Sequence, residues 1–251
     1  MPEDAQEDLE DLTGVVSLTP DGADPREAVE RKVPGDILEK YEVYSYKNAA
    51  VILSETRQTE FAEICNALRG FTVTKAMLAK AGGNESDMPK LFSKLLRPNG
   101  WHETIIRADL EVTLAWREQV RLNAKGKPVT EPRTRTIKRE RYLDGHKIDY
   151  VKDNVAFDLE WNSKDQTFDR DLYAFNAFFL SSAIDVAVLV TRSASLNEIF
   201  REMGLMSKYG ASTTWMGKLL YRMNAGRNGG CPVLVVGITP ACVSDWSPPT
   251  A

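Results

Sequence analysis

The spacing of apolar residues changes before the middle of the chain, and this change limits the folds that the chain can adopt. In residues 56–68, Phe61, Ile64 and Leu68 recur at the three- to four-residue interval of an amphipathic helix. In residues 108–117, apolar and polar residues alternate with Ala115 as the one exception, which is the two-residue period of a β-strand. Helix and strand patterns then alternate to the end of the chain, so the sequence predicts an α/β fold.

The same periodicities predict the remaining elements. Before the change of period, two more helices are predicted at residues 75–81 and 86–96. After it, the predicted elements are strands 134–142, 147–151 and 155–161, helix 169–182, strand 184–191, helices 196–206 and 214–223, and strand 233–239. The first half of the chain is therefore mainly helical, and the second half carries most of the sheet.

Residues 1–32 differ in composition from the rest of the chain. The first thirty residues contain ten acidic residues, one basic residue and three prolines, and they show no sustained apolar period. Such a segment lacks the apolar surface that would offset the entropy lost on folding. We therefore predict a disordered acidic extension at residues 1–32 and a single domain at residues 33–251.

The cysteine and histidine content argues against several kinds of site. Cys65, Cys231 and Cys242 are odd in number and far apart, so they support neither a disulfide framework nor a zinc knuckle. His102 and His146 are the two histidines of the chain, which leaves little material for a histidine-rich metal site or a His-based triad. Any metal site must therefore use carboxylates.

The apolar segments are too short to cross a membrane. The longest, near residues 186–190 and 233–237, have the length of a strand, and the acidic N-terminus lacks the apolar core of a signal peptide. We therefore expect a soluble cytoplasmic protein without a membrane partner.

The formal net charge of −4 conceals a basic segment. Residues 121–147 contain nine basic and three acidic residues. In an extended strand, Arg133, Arg135, Arg139 and Arg141 lie on one side. A basic ribbon of this kind can follow DNA phosphates, and a solvated edge strand protected by charge gives the same pattern.

Three acidic residues come together in the predicted hairpin of residues 147–161. Asp158 and Glu160 share one face of their strand because side chains alternate, and Asp149 lies across the turn from them. Three close carboxylates repel one another and raise each other's pKa unless a cation binds among them, and oxygen ligands suit magnesium. The alternative is that Asp158 and Glu160 form the solvent-exposed face of an amphipathic hairpin.

Residues 148–172 resemble the catalytic hairpin of type II restriction endonucleases related to BamHI and BglII, which belong to the PD-(D/E)xK nuclease superfamily. Asp149 matches the first acid of that motif, Asp158 the second, and Glu160 the position where most of the superfamily has lysine. Glutamate at that position is similar to BamHI, and the short spacing between the first two acids is similar to BglII. Ile148 stands where the usual proline would be.

The resemblance implies a restriction-endonuclease-like mixed β-sheet flanked by helices over residues 44–239. It also implies magnesium-dependent, sequence-specific hydrolysis of double-stranded DNA by a homodimer at a short palindromic site, leaving 5′-phosphates and 5′ overhangs. Asp149 and Asp158 would hold the magnesium, and Glu160 would bind metal or accept a proton from the attacking water.

Two polar stretches are candidates for DNA contact. The predicted DNA-binding residues are Asn162, Ser163, Lys164, Ser212, Thr213, Thr214, Lys218 and Arg222. The first three directly follow the predicted metal site, although a simple exposed loop has the same composition. The other five belong to a Ser/Thr run and the helix after it, where helix capping is an alternative to phosphate or base contact.

Two other functions are compatible with the sequence. A repair or recombination nuclease of the same fold would use the same acids without strict sequence choice, so discrete digestion products would exclude it. A non-catalytic DNA-binding protein would carry the acids as surface residues, and absence of magnesium binding would favour it.

Overall fold

The computed structural model of the chain describes residues 16–80, 87–210 and 212–247. The α-helices in these ranges are α1 (Arg26–Lys32), α2 (Gly35–Lys40), α3 (Ala49–Thr56), α4 (Gln58–Gly70), α5 (Lys75–Ala79), α6 (Asp87–Leu96), α7 (Thr167–Leu180), α8 (Asn197–Glu202) and α9 (Met216–Asn224). The strands are β1 (Tyr41–Tyr46), β2 (His102–Leu122), β3 (Pro128–Lys152), β4 (Val155–Glu160), β5 (Val186–Arg192) and β6 (Val233–Ile238). Short 3-10 helices lie at Arg97–Asn99, Ala194–Leu196 and Pro240–Cys242.

The six strands form one mixed sheet in the order β1-β6-β5-β4-β3-β2. β4, β5 and β6 run parallel, with Phe157 opposite Val188 and Val188 opposite Leu234. β1 pairs antiparallel with β6, and the end of β3 pairs antiparallel with β4. Helix α3 packs against β5 and β6, and α7 packs against β4. The predicted α/β fold, a mixed sheet flanked by helices, is confirmed.

The three parallel strands are buried on both faces. Every residue of β4, β5 and β6 is buried, and strands of this kind are expected to have apolar side chains on both sides. On one face the strands share a core with the helices of the first half, where the ring of Phe92 lies 5.0 Å from that of Phe157. The three cysteines are free thiols, and all of them are buried.

Helix α4 confirms the predicted amphipathic helix but begins later than predicted. Phe61, Ile64 and Leu68 are all buried on one side of it. The backbone of Arg57 leaves the helical region, with φ −128° and ψ 45°, and this separates α4 from α3.

Among the described residues, no helix has the length and apolar character needed to span a bilayer.

Part of the N-terminal segment predicted to be disordered is folded. Helix α1 lies within that segment, and its Val29 is 2% exposed and belongs to the core. Upstream of the helix, the backbone N–H of Ser17 donates to the carbonyl oxygen of Gly217 over 3.0 Å. The predicted boundary is therefore wrong for this part, because a single buried valine anchors a short helix that the acidic composition conceals. The prediction for residues 1–15 falls outside the described residues.

The chain divides into two compact units, of which the smaller comprises residues 105–147. This unit holds most of β2 and β3, so the alternating segment is a strand as predicted. Its side chains are mostly exposed; Leu114 and Trp116 are each 47% exposed. An ion pair of 2.8 Å joins Arg133 to Glu118 across the two strands. That residues 33–251 act as one endonuclease domain stays a prediction.

Val29→Ala should lower the free energy of unfolding by about 2 kcal/mol, because two buried methyl groups are removed and a cavity remains. The matched control is Glu27→Ala, an exposed position of the same helix, which should change that free energy by less than about 0.5 kcal/mol. Urea denaturation of the full chain measures both. Equal effects of the two substitutions would show that α1 does not belong to the core.

Candidate active site

The two acids of β4 are buried rather than solvent-exposed. Asp158 is 4% exposed and Glu160 is 5% exposed. Their strand neighbours Phe157 and Leu159 point into the core on the opposite face, so the acids face the side of the sheet that carries α7. The alternative that these acids form a solvated hairpin face is therefore wrong. The hypothesis of a non-catalytic DNA-binding protein required surface acids, and the structure does not support it.

Asp149 lies beside Asp158 on the neighbouring strand. The antiparallel register pairs Tyr150 with Phe157, and its continuation sets Asp149 opposite Asp158. Burial raises the pKa of Asp158 well above its usual value, and the charges of Asp171 and Asp149 raise it further. The structure therefore brings together two of the three acids that were predicted to bind metal.

A fourth acid, which the sequence analysis missed, joins this cluster from α7. Asp171 is 1% exposed, and its Oδ2 atom has no hydrogen-bond partner among the described residues. Burial and the charge of Glu160 raise the pKa of Asp171 to about 8, against the opposing charge of Arg170. A sequence signal existed, because Phe168 and Leu172 mark the buried side of α7 and Asp171 falls on that side.

Arg170 supplies positive charge to the cluster. Its Nε and Nη2 atoms donate to Oδ1 of Asp171 at 3.0 and 2.9 Å, and Nη2 also donates to Oε1 of Glu160 at 3.3 Å. The hydroxyl of Thr167 donates to Oε2 of Glu160 at 3.1 Å. The Arg170 side chain is 65% exposed, so it reaches the cluster from the solvent side and holds the Glu160 carboxylate in place.

The acids suit a divalent cation, although they do not form a closed ligand set. Among the described residues, no group of three or more Asp, Glu, His or Cys side chains is arranged to hold a metal ion. Glu160 is turned toward Arg170, and close carboxylates without a cation repel one another. The site is nevertheless rich in oxygen and negative charge, with Oδ2 of Asp171 unpaired among the described residues. Hard cations such as magnesium prefer such donors.

The two polar stretches predicted to contact DNA form one surface. An antiparallel β-bridge joins Lys164 to Thr213, and the N–H of Thr214 donates to the carbonyl oxygen of Ser163 at 2.9 Å. We call residues 162–166 together with residues 212–214 the polar surface. It begins two residues after Glu160, at the end of the strand that carries the acids.

The predicted residues of the polar surface differ in their access to solvent. Thr214 is fully buried, and its hydroxyl has no hydrogen-bond partner among the described residues, so this side chain is closed to a base in this conformation. Lys164 and Ser212 are exposed and open to direct contact with DNA. The half-buried members are Asn162, Ser163 and Thr213.

Lys218 and Arg222 lie inside the protein, at 5% and 3% exposure. The Nη2 atom of Arg222 lies 3.3 Å from Oδ2 of Asp165 and 3.1 Å from Oδ2 of Asp169. This burial contradicts the predicted phosphate contacts, because α9 packs against α7 and turns these basic side chains inward. Helix capping by the Ser/Thr run is also wrong, since Trp215 occupies the cap position without a side-chain cap bond.

The comparison with protein families agrees with the fold. The family model described as "Restriction endonuclease BglII/BglIII" matches residues 41–238, which run from the first residue of β1 to the last residue of β6. The comparison with curated proteins finds no match. The class of the protein is therefore that of the restriction endonucleases, which are site-specific deoxyribonucleases acting on double-stranded DNA. Within that class, the chain belongs to the type II BglII/BglIII family.

The stability of the metal-free protein should fall as pH rises from about 5 to about 8. Folded Asp171 keeps its proton up to a pKa of about 8, whereas the unfolded chain releases it near the usual pKa of about 3.9. The folded state therefore binds more protons in this range. The proton on Asp171 stabilises the folded state fully below the pKa of the unfolded chain. As pH rises above that value, this stabilisation is lost at up to about 1.4 kcal/mol per pH unit. Asp171→Asn should reduce this slope.

The matched control for this measurement is Asp169→Asn, on the same helix. Burial acts to raise the pKa of Asp169, but hydrogen bonds from Arg222 and Arg227 lower it overall. Its contribution to stability is therefore lost on acidification and not on a rise in pH. Urea denaturation at a series of pH values in EDTA measures all three proteins. An Asp171→Asn slope equal to that of the wild type would show that the buried acid is not protonated.

Proposed function

We propose that this protein is a magnesium-dependent type II restriction endonuclease that cuts both strands of DNA at a short palindromic site. The observation that carries the proposal is the buried carboxylate cluster on β4, directly followed by the polar surface. Membership of the family supplies the reaction class. In-line hydrolysis would leave a 5′-phosphate and a 3′-hydroxyl on each strand, and we propose a staggered cut with 5′ overhangs.

The proposal gives the acids different roles. Asp149 and Asp158, which lie side by side, would hold the magnesium ion, and Glu160 would complete its ligands or accept a proton from the attacking water. Bound magnesium would neutralise phosphate charge and favour deprotonation of that water. Because glutamate replaces the usual lysine, proton removal would fall to a carboxylate that Arg170 and Thr167 already orient.

We propose that the polar surface reads bases and that the β2 and β3 residues within 105–147 contact the DNA backbone. Lys164 and Ser212 are both exposed. Lys164 follows the strand that carries the acids, and its bridge to Thr213 brings the neighbouring Ser212 to the same place. The separate unit of residues 105–147 contains eleven Lys and Arg residues but six Asp and Glu residues. This excess of positive charge suits phosphate contact, which does not depend on base sequence.

We propose that the active form is a homodimer in the cytoplasm. A palindromic site presents identical half-sites, which two identical subunits can contact through twofold symmetry. The exposed Leu114 and Trp116 are candidates for the contact between subunits, since exposed apolar groups often mark interaction surfaces. Sedimentation with a fragment carrying one site should give two chains per fragment, and one chain per fragment would contradict the dimer.

Asp149→Asn, Asp158→Asn and Glu160→Gln should each reduce magnesium-supported cleavage by on the order of a thousandfold or more, because each removes several kcal/mol of charge stabilisation from the transition state. These substitutions preserve side-chain size, so the fold and calcium-supported DNA binding should remain. Glu198→Gln, at an exposed position of α8, is the matched control and should cleave as the wild type does. A wild-type rate for Asp158→Asn would disprove the assignment of the site.

Ser212→Ala and Arg135→Ala should weaken DNA binding in different ways. Loss of a base contact from Ser212 should weaken binding to the true site by about 1 to 3 kcal/mol and leave non-specific affinity unchanged. Loss of a phosphate contact from the exposed Arg135 should weaken binding to all sequences and reduce the salt dependence by about one unit of slope. Fluorescence anisotropy at several salt concentrations measures both. If neither changes, DNA is bound elsewhere.

A further inference from the structure

Arg192, the last residue of β5, is a buried cation whose contacts are mostly backbone carbonyls. Its side chain is 1% exposed, and its guanidinium carbon lies 5.1 Å from the ring centroid of Tyr209 and 5.5 Å from that of Phe200, two rings that stack on each other. Burial lowers its pKa to about 9. Removing a charged group from water is costly, so an apolar residue would fill this space with less penalty if packing alone were required.

The hydrogen bonds of Arg192 join the catalytic strand to the polar surface. Its Nε atom donates to the carbonyl oxygen of Trp161 at 2.8 Å and to that of Thr214 at 3.1 Å. Its Nη2 atom donates to the hydroxyl of Thr213 at 2.6 Å. Trp161 directly follows Glu160, so one rigid guanidinium holds the end of the acid-bearing strand against the segment that the proposed function assigns to DNA.

A second hydrogen bond connects the end of β5 to the backbone of Glu160. Thr191, the neighbour of Arg192, lies opposite Glu160 in the parallel register, and its hydroxyl donates to the carbonyl oxygen of Glu160 at 2.8 Å. The hydroxyl of Thr213 also donates to the carbonyl oxygen of Gly210 at 2.7 Å. Short hydrogen bonds therefore connect the polar surface to the backbone beside Glu160.

We propose that Arg192 is a positioning residue that couples the seating of the polar surface on DNA to the placement of Glu160. This inference rests on the proposed function. Correct DNA contact would hold residues 212–214 in the arrangement that Arg192 needs to fix the end of β4. Incorrect contact would displace that segment and, through Arg192, the backbone that carries Glu160. Specificity would then act on the rate of cleavage as well as on affinity.

The test compares substitutions of Thr213, because its hydroxyl can be removed while Arg192 stays intact. Thr213→Val keeps the shape and removes the acceptor, and Thr213→Ser restores it. Thr239→Val is the matched control, since Thr239 is a half-buried threonine that donates to the carbonyl oxygen of Lys40, away from the acids. Arg192→Lys removes the fork of donors and keeps the charge.

The measurements are affinity for the cleavage site in calcium and single-turnover cleavage in magnesium, at that site and at sites with one altered base pair. Thr213→Val and Arg192→Lys should cleave the true site about tenfold more slowly, with a smaller preference over altered sites and with affinity within about threefold of wild type. Thr213→Ser should recover the rate and the preference that Thr213→Val loses, and Thr239→Val should behave as wild type.

The outcomes separate this inference from the proposed function. If Arg192→Lys does not fold, the comparison of Thr213→Val with Thr213→Ser still decides. Loss of affinity without loss of the single-turnover rate would overturn the coupling and leave Thr213 as a simple DNA contact. An unchanged single-turnover rate and an unchanged preference for the true site would also overturn the coupling, and Arg192 would then have a structural role. Absence of cleavage by the wild type in magnesium would instead disprove the proposed function.

Discussion

The chain places carboxylates where water is largely excluded, and the properties of the site depend on that placement. Asp158 and Glu160 project from a fully buried strand, and Asp171 projects toward them from α7. A carboxylate in such surroundings is unfavourable as a free anion, so it must keep a proton, pair with Arg170 or bind a cation. The predicted loss of stability at high pH and the proposed binding of a divalent cation therefore follow from one arrangement.

The parallel strands explain why the acids and the polar surface lie together at the carboxyl ends of the strands. β4 and β5 run in the same direction, so the residues at their ends, Trp161 and Arg192, lie side by side. The chain leaves β4 directly into the polar surface, and Arg192 ties that surface back to the strand. Ligand sites of α/β sheets commonly form beyond the carboxyl ends of parallel strands for this reason.

Local patterns were sufficient to predict part of this site. Alternation within one strand identified Asp158 and Glu160, but it could not show that α7 covers their face, because the covering helix is a tertiary feature. Asp171 was missed for the same reason, although its position on an apolar helix side was a usable signal. Arg222 was predicted to face DNA, and its burial depends on Asp169, a partner distant in sequence. Val29 was concealed by the acidic residues around it.

The most direct test of the central claim is a digest of a sequenced plasmid by the wild-type protein, with the fragment ends read by sequencing. The account predicts discrete fragments in magnesium, all ending at one short palindromic sequence with 5′-phosphates, and intact plasmid in EDTA. Ends scattered over many sequences would indicate a nuclease without strict sequence choice, as in repair or recombination. Plasmid that stays intact in magnesium would contradict the claim that the buried acids form a nuclease site.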